Sequence, residues 1–114
     1  MTVKVLDFRC EDTTIKAAVK TVTFTVASER ARGNLLVKLI HREEKESPFV
    51  ASLRRSLRRL KTAGRVECII KGRDFSDASN EALFLINKYP ALASDEHYGG
   101  TSDTMTLLYL NAHL

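Results

Sequence analysis

The chain has 114 residues, 44% of them hydrophobic and 28% charged, with a formal net charge of +4. That length supports one domain, residues 1–114, with a real core and no second domain. No apolar run approaches the roughly twenty residues that cross a bilayer. The opening Met1-Thr2-Val3-Lys4-Val5 also lacks the apolar stretch of a secretory signal.

Thr2 to Phe8 alternates and ends in apolar residues, which predicts a first strand with Asp7 near its end and Arg9 just beyond. Glu11, Asp12, Thr13 and Thr14 supply the caps and first-turn acids of a helix. The next segment, to Arg32, carries two patterns. Ile15, Val19, Val22 and Val26 fall at helical spacing, while Thr21 to Val26 alternates with β-branched residues as a strand does. Its length, the absence of internal turn residues and the Arg30, Arg32, Gly33 ending favour a helix. Leu35 to Ile40 reads as a second strand ending at His41. Strand, helix and strand make a right-handed βαβ unit with parallel strands, and such units place ligands beyond the carboxyl ends of their strands. Arg42 to Ser47 is highly charged and reads as a mobile linker.

Ser47 and Pro48 then open a helix, as N-cap and first-turn proline, and Gly64 ends it. Leu53, Leu57 and Leu60 form its apolar stripe, extended backwards by Phe49 and Val50. Arg54, Arg55, Arg58, Arg59 and Lys61 lie off that stripe with no acids at compensating spacing, so they repel one another. From Arg54 to Arg73 there are eight Lys or Arg residues against the single Glu67, a net +7, which leaves −3 for the remainder. Such a concentrated field is the footprint of a phosphate-backbone binder, and also of a solvated face. Val66 to Ile70 follows as a strand. Lys71 to Phe75 is a loop, and Ser76 or Asp77 caps a shorter helix running to Tyr89 before Pro90. A connection with Gly99-Gly100 leads to a last strand, Thr104 to Leu110. Cys10 and Cys68 lie in unrelated segments without metal-ligand spacing, which suggests reduced thiols in a cytoplasmic protein.

In this order the motifs resemble the Smr domain, a small domain found at the C-terminus of some MutS-related proteins and also free-standing. That family opens with Leu-Asp-x-His at the end of its first strand, where this chain has Leu6-Asp7-Phe8-Arg9. A later strand ends Ile-His-Gly-x-Gly, and here Leu39-Ile40-His41-Arg42-Glu43 stands. Ser52-Leu53-Arg54-Arg55 matches the Leu-Arg start of the next helix, and Gly99-Gly100 with Thr106 to Leu110 matches the close. Arg9 replaces the first-motif histidine, and Arg42 and Glu44 replace the two glycines. The segment around Phe75 and its helix resembles longer, free-standing variants. The resemblance implies an α/β two-layer sandwich with a four-stranded mixed sheet in βαβαβ(α)β order, shared with the C-terminal domain of translation initiation factor three. It also implies nucleic-acid binding, with DNA nicking or RNA cleavage.

What carries over to catalysis is Asp7 and His41. Asp7 can orient water or hold a divalent cation, and His41 can act as acid or base near neutral pH. One carboxylate and one histidine are a thin ligand set, so no metal ligand and no cofactor is assigned. Arg9, Arg42, Arg54, Arg55, Arg58 and Arg59 are the candidate nucleic-acid contacts, able to grip phosphate through a guanidinium fork. Each has a plainer alternative: a carboxylate satisfied by Arg9, an idle imidazole, a solvated helix face. The competing function is a non-catalytic interaction module whose basic helix meets an acidic partner or a second copy of the chain.

Overall fold

Strand β1 (Val3–Asp7) lies parallel to β2 (Leu36–Ile40), in register from Val3 opposite Leu36 to Asp7 opposite Ile40. The computed structural model describes residues 1–113. Helix α1 (Ile15–Ala31) makes the crossover, and the stretch 21–26 is helical throughout. Burial settles the conflict between its two patterns. Ala18, Val22 and Val26 enter the core on one stripe, while Phe24 stays 74% exposed. The competing threonines are absorbed within the helix: Thr21 and Thr23 donate to the carbonyls of Ala17 and Val19 at 3.0 and 2.8 Å. The Thr14 hydroxyl caps the start by accepting from the Ala17 N–H, and Gly33 ends the segment with φ +79°.

Helix α2 (Pro48–Thr62) is capped by Ser47, whose hydroxyl accepts from the Val50 N–H at 3.3 Å. Gly64, at φ +78°, releases the chain into β3 (Val66–Lys71). Helix α3 (Asn80–Lys88) is capped by Ser79, not by Ser76 or Asp77. The Ser76 hydroxyl instead accepts from the Ala78 N–H in a local turn. Single 3-10 turns follow β3 at Gly72–Asp74 and α3 at Pro90–Ser94. Strand β4 (Met105–Leu110) closes the sheet in the order β1-β2-β4-β3, antiparallel to both neighbours. The Arg42–Ser47 stretch, expected as a loose linker, contains a 3-10 turn at Glu44–Glu46 whose flanking carboxylates bond to the body of the protein.

Each face of the sheet has its own core. Leu53, Leu57 and Leu60 of α2 meet α1, Val37, Leu39 and Leu108 on one side. Phe75, Ala82, Leu85 and Leu92 cover Leu36, Ile70, Leu107 and Tyr109 on the other. This second cover adds a third layer to the expected two-layer sandwich, because α3 and the turn after it bury the back of β3 and β4. Leu57 is 1% exposed. Its truncation to alanine would cost about 2–5 kcal/mol through lost transfer energy and a residual cavity. Among the described residues, no helix is long and apolar enough to cross a membrane.

Candidate nucleic-acid interface

The parallel strands end side by side, and the Phe8 N–H donates to the Ile40 carbonyl at 2.7 Å just past the last pair. Alternation then separates the two candidate catalytic groups. Asp7 is opposite Ile40, so both face one side of the sheet, and His41 turns to the other with Leu39. Asp7 is exposed and held by Arg9, whose Nε donates to both carboxylate oxygens at 3.0 and 2.9 Å and whose backbone N–H adds a bond of 2.9 Å. These bonds, chiefly the guanidinium's, hold the Asp7 carboxyl below the usual carboxylate range. Arg42 is also exposed and reaches Glu11 at 3.4 Å, and Glu11 accepts from the Ser47 hydroxyl at the start of α2.

His41 is 2% exposed and committed at both ring nitrogens. Nδ1 lies 2.7 Å from the Arg42 carbonyl and so carries the proton, and Nε2 accepts from the Thr106 hydroxyl at 2.8 Å. Thr106 accepts in turn from Arg54 Nε at 2.9 Å. Burial pushes the imidazole below its ordinary value, the Arg42 carbonyl works against that, and the nearby Arg54 charge adds to it. The ring is a neutral relay in a buried network.

Arg54, 5% exposed, is the centre of that network. Its two terminal nitrogens grip Asp103 in a fork of 2.6 and 2.6 Å, while Glu44 at 2.5 Å and the Met105 carbonyl at 2.9 Å take the other two terminal donors. With Nε on Thr106, all five N–H donors of the guanidinium are used. Burial raises the Asp103 carboxyl, but the Arg54 fork outweighs it and holds the group below its ordinary value. Arg54 therefore leaves the expected phosphate-contacting set, because no donor remains for a ligand.

The other cations of α2 stand differently. Arg55, Arg58, Arg59 and Lys61 are exposed. Among the described residues, none of the four has a carboxylate within ion-pair distance. They form two rows. Arg55 and Arg59 line a shallow outer groove with Ser52 and Ser56. Arg58, Lys61 and Thr62 turn toward β3 and, with Ile69 and Lys71, line a groove of about 490 Å³ that has Arg54 on its inner wall. Lys71 is 3.7 Å from Glu44. The described residues hold no cluster of three or more His, Cys, Asp or Glu fit to bind a metal.

The solved structure of the Smr domain of Thermus thermophilus MutS2 matches 95% of this chain and 98% of that one, with a TM-score of 0.54 and 19% identity. The fold is Smr-like. No family model matches the sequence, and no curated protein does. On the Smr-like frame, the structure gathers His41 and Arg54 into one network and leaves Asp7 with Arg9 on the opposite face of the sheet. Arg55, Arg58 and Arg59 remain on the surface. Sequence reasoning missed Asp103 and Thr106, which complete the network, and Thr62, Ile69 and Lys71, which together with Lys61 of the basic face complete the groove. The spacing of Arg54, Arg58, Lys61 and Thr62, one helical row beside the leucine stripe, was the signal for the groove.

Proposed function

We propose that this domain binds nucleic acid through the outer side of α2 and does so without cutting it. The observation that carries the proposal is the set of exposed cations, Arg55, Arg58, Arg59 and Lys61, none of them neutralised by a carboxylate of the described chain. Structural salt bridges would consume such charges, and among the described residues from Arg54 to Arg73 they consume only Arg54 and part of Lys71. Hydrolysis has weaker support. A general acid or base must reach the scissile phosphate, and His41 is enclosed with both nitrogens bonded, while Asp7 lies on the other face in the grip of Arg9.

The test is binding to a duplex and to a single strand across a salt series. Affinity should fall with salt, with a logarithmic slope of about −0.9 per neutralised phosphate on duplex and about −0.7 on a single strand. The variant reversing Arg55, Arg58 and Arg59 to Glu should stay folded and lose that binding. Arg54 must be spared, since its removal strikes the core. A flat salt response would overturn the proposal. Unchanged retention with an altered oligomeric state in the triple variant would favour self-association. Incubation with supercoiled plasmid should give no nicking. Nicking that disappears in Asp7→Asn would restore the catalytic role of that carboxylate.

A further inference from the structure

We propose that the groove between α2 and β3 receives the terminal phosphomonoester of a nucleic-acid strand. The inference rests on the nucleic-acid reading above and adds a preference for a particular end chemistry. At about 490 Å³ the groove is the size of a small-molecule site, which is typically about 300–1,000 Å³. A duplex lying along the outer face of α2 does not enter such a space, whereas a strand end does.

Charge selects among strand groups. Arg54, Arg58, Lys61 and Lys71 line the groove, and the carboxylates bonded to them are Glu44 and Asp103. Among the described residues, two positive charges are left uncompensated. An internal phosphodiester carries a single negative charge. A terminal phosphomonoester carries about −1.5 to −2 near neutral pH and offers three strong acceptor oxygens. The donors free to meet those oxygens are Arg58, Lys61 and the Thr62 hydroxyl, with Lys71 shared against Glu44, because Arg54 has none to give. Ile69 supplies an apolar floor suited to the sugar of the last nucleotide. No aromatic ring is among the described lining residues, so the groove is not a stacking platform for a run of bases.

The experiment uses one internally labelled single strand in three forms: 5′-phosphorylated, 3′-phosphorylated, and with hydroxyls at both ends. At constant salt one phosphorylated form should bind roughly tenfold more tightly than the hydroxyl form, the value of one or two charge-assisted bonds. Thr62→Val and Lys71→Gln should each erase most of that increment while leaving binding of the hydroxyl form nearly intact. Arg55→Gln should weaken all three forms alike. Equal affinity for the three forms would overturn this inference and leave the nucleic-acid proposal standing. Failure of all three to bind at low salt would overturn both. A nucleoside monophosphate competing as well as the phosphorylated strand would assign the groove to free nucleotides and overturn the strand-end proposal.

Discussion

Arg54 and Arg58 stand one turn apart on the same helix and have opposite fates. Arg54 faces β4 and is enclosed by Asp103, Glu44, Thr106 and the Met105 carbonyl, with all its donors engaged. Arg58 faces water at the mouth of the α2–β3 groove with no carboxylate beside it among the described residues. A guanidinium taken from water must recover its hydration from the protein, so a buried arginine is part of the architecture. An exposed and uncompensated one remains available to a ligand. Identical residues in one run, Arg54-Arg55 and Arg58-Arg59, therefore divide between holding the fold and meeting a partner.

The sharpest way to break this contrast is to remove Arg54. Arg54→Met strands Asp103 as a buried carboxylate, 6% exposed, without its counter-ion. We expect a loss of about 3–5 kcal/mol in a urea or thermal unfolding curve. Arg58→Met should move the same curve by no more than about 0.5 kcal/mol. Comparable losses in the two variants would end the distinction.

Acid should act on the same network next. The folded state holds His41 below its ordinary 6.5, so the unfolded chain takes up the proton first. Stability is then complete above that value and declines as the pH falls below 6.5, toward the folded value. Asp103, also lowered, adds a second decline below the ordinary carboxylate range as its folded-state carboxyl protonates. Unfolding curves at a series of pH values should show the first decline in the native chain and lose it in His41→Gln. A native chain equally stable on both sides of pH 6.5 would contradict the neutral relay.

Smaller effects belong to the surface. Arg58→Gln and Arg59→Gln should each reduce the magnitude of the salt slope by about 0.7 to 0.9 if each meets one phosphate. Their unfolding curves should not change. The least effect is expected at the exposed Asp7–Arg9 pair, where Asp7→Asn should leave the thermal midpoint within experimental error because solvent screens the interaction.

Much of the frame was legible from pattern. The stripe of Leu53, Leu57 and Leu60, the Ser47 cap and the Gly64 stop placed α2, and the parallel β1–β2 pair followed from a strand, a long helix and a strand. The β-branched run 21–26 was ambiguous because its local preference opposed its burial stripe, and tertiary packing decided it. The third layer was less legible, since nothing in the α3 sequence says which face of the sheet it covers. In the site, helical spacing could not by itself tell the buried Arg54 from the exposed Arg58. What separates them is Asp103 and Thr106, some fifty residues later in the chain, and only the central position of β4 brings those groups across. Asp7 and His41, both read as catalytic candidates at neighbouring strand ends, stand apart because of the pleat: adjacent strand ends need not project side chains to the same side.

The central position of β4 also bears on how the protein assembles. Strand β4 follows β2 and β3 in sequence but lies between them, with Leu36 to Ile40 on one flank and Val66 to Lys71 on the other. A nascent chain emerging from the ribosome would thus hold β2 and β3 apart, each with an unzipped edge, until residues 105–110 arrive to join them. Folding should be late and all-or-none, and a chain cut short before Met105 should be found in the insoluble fraction.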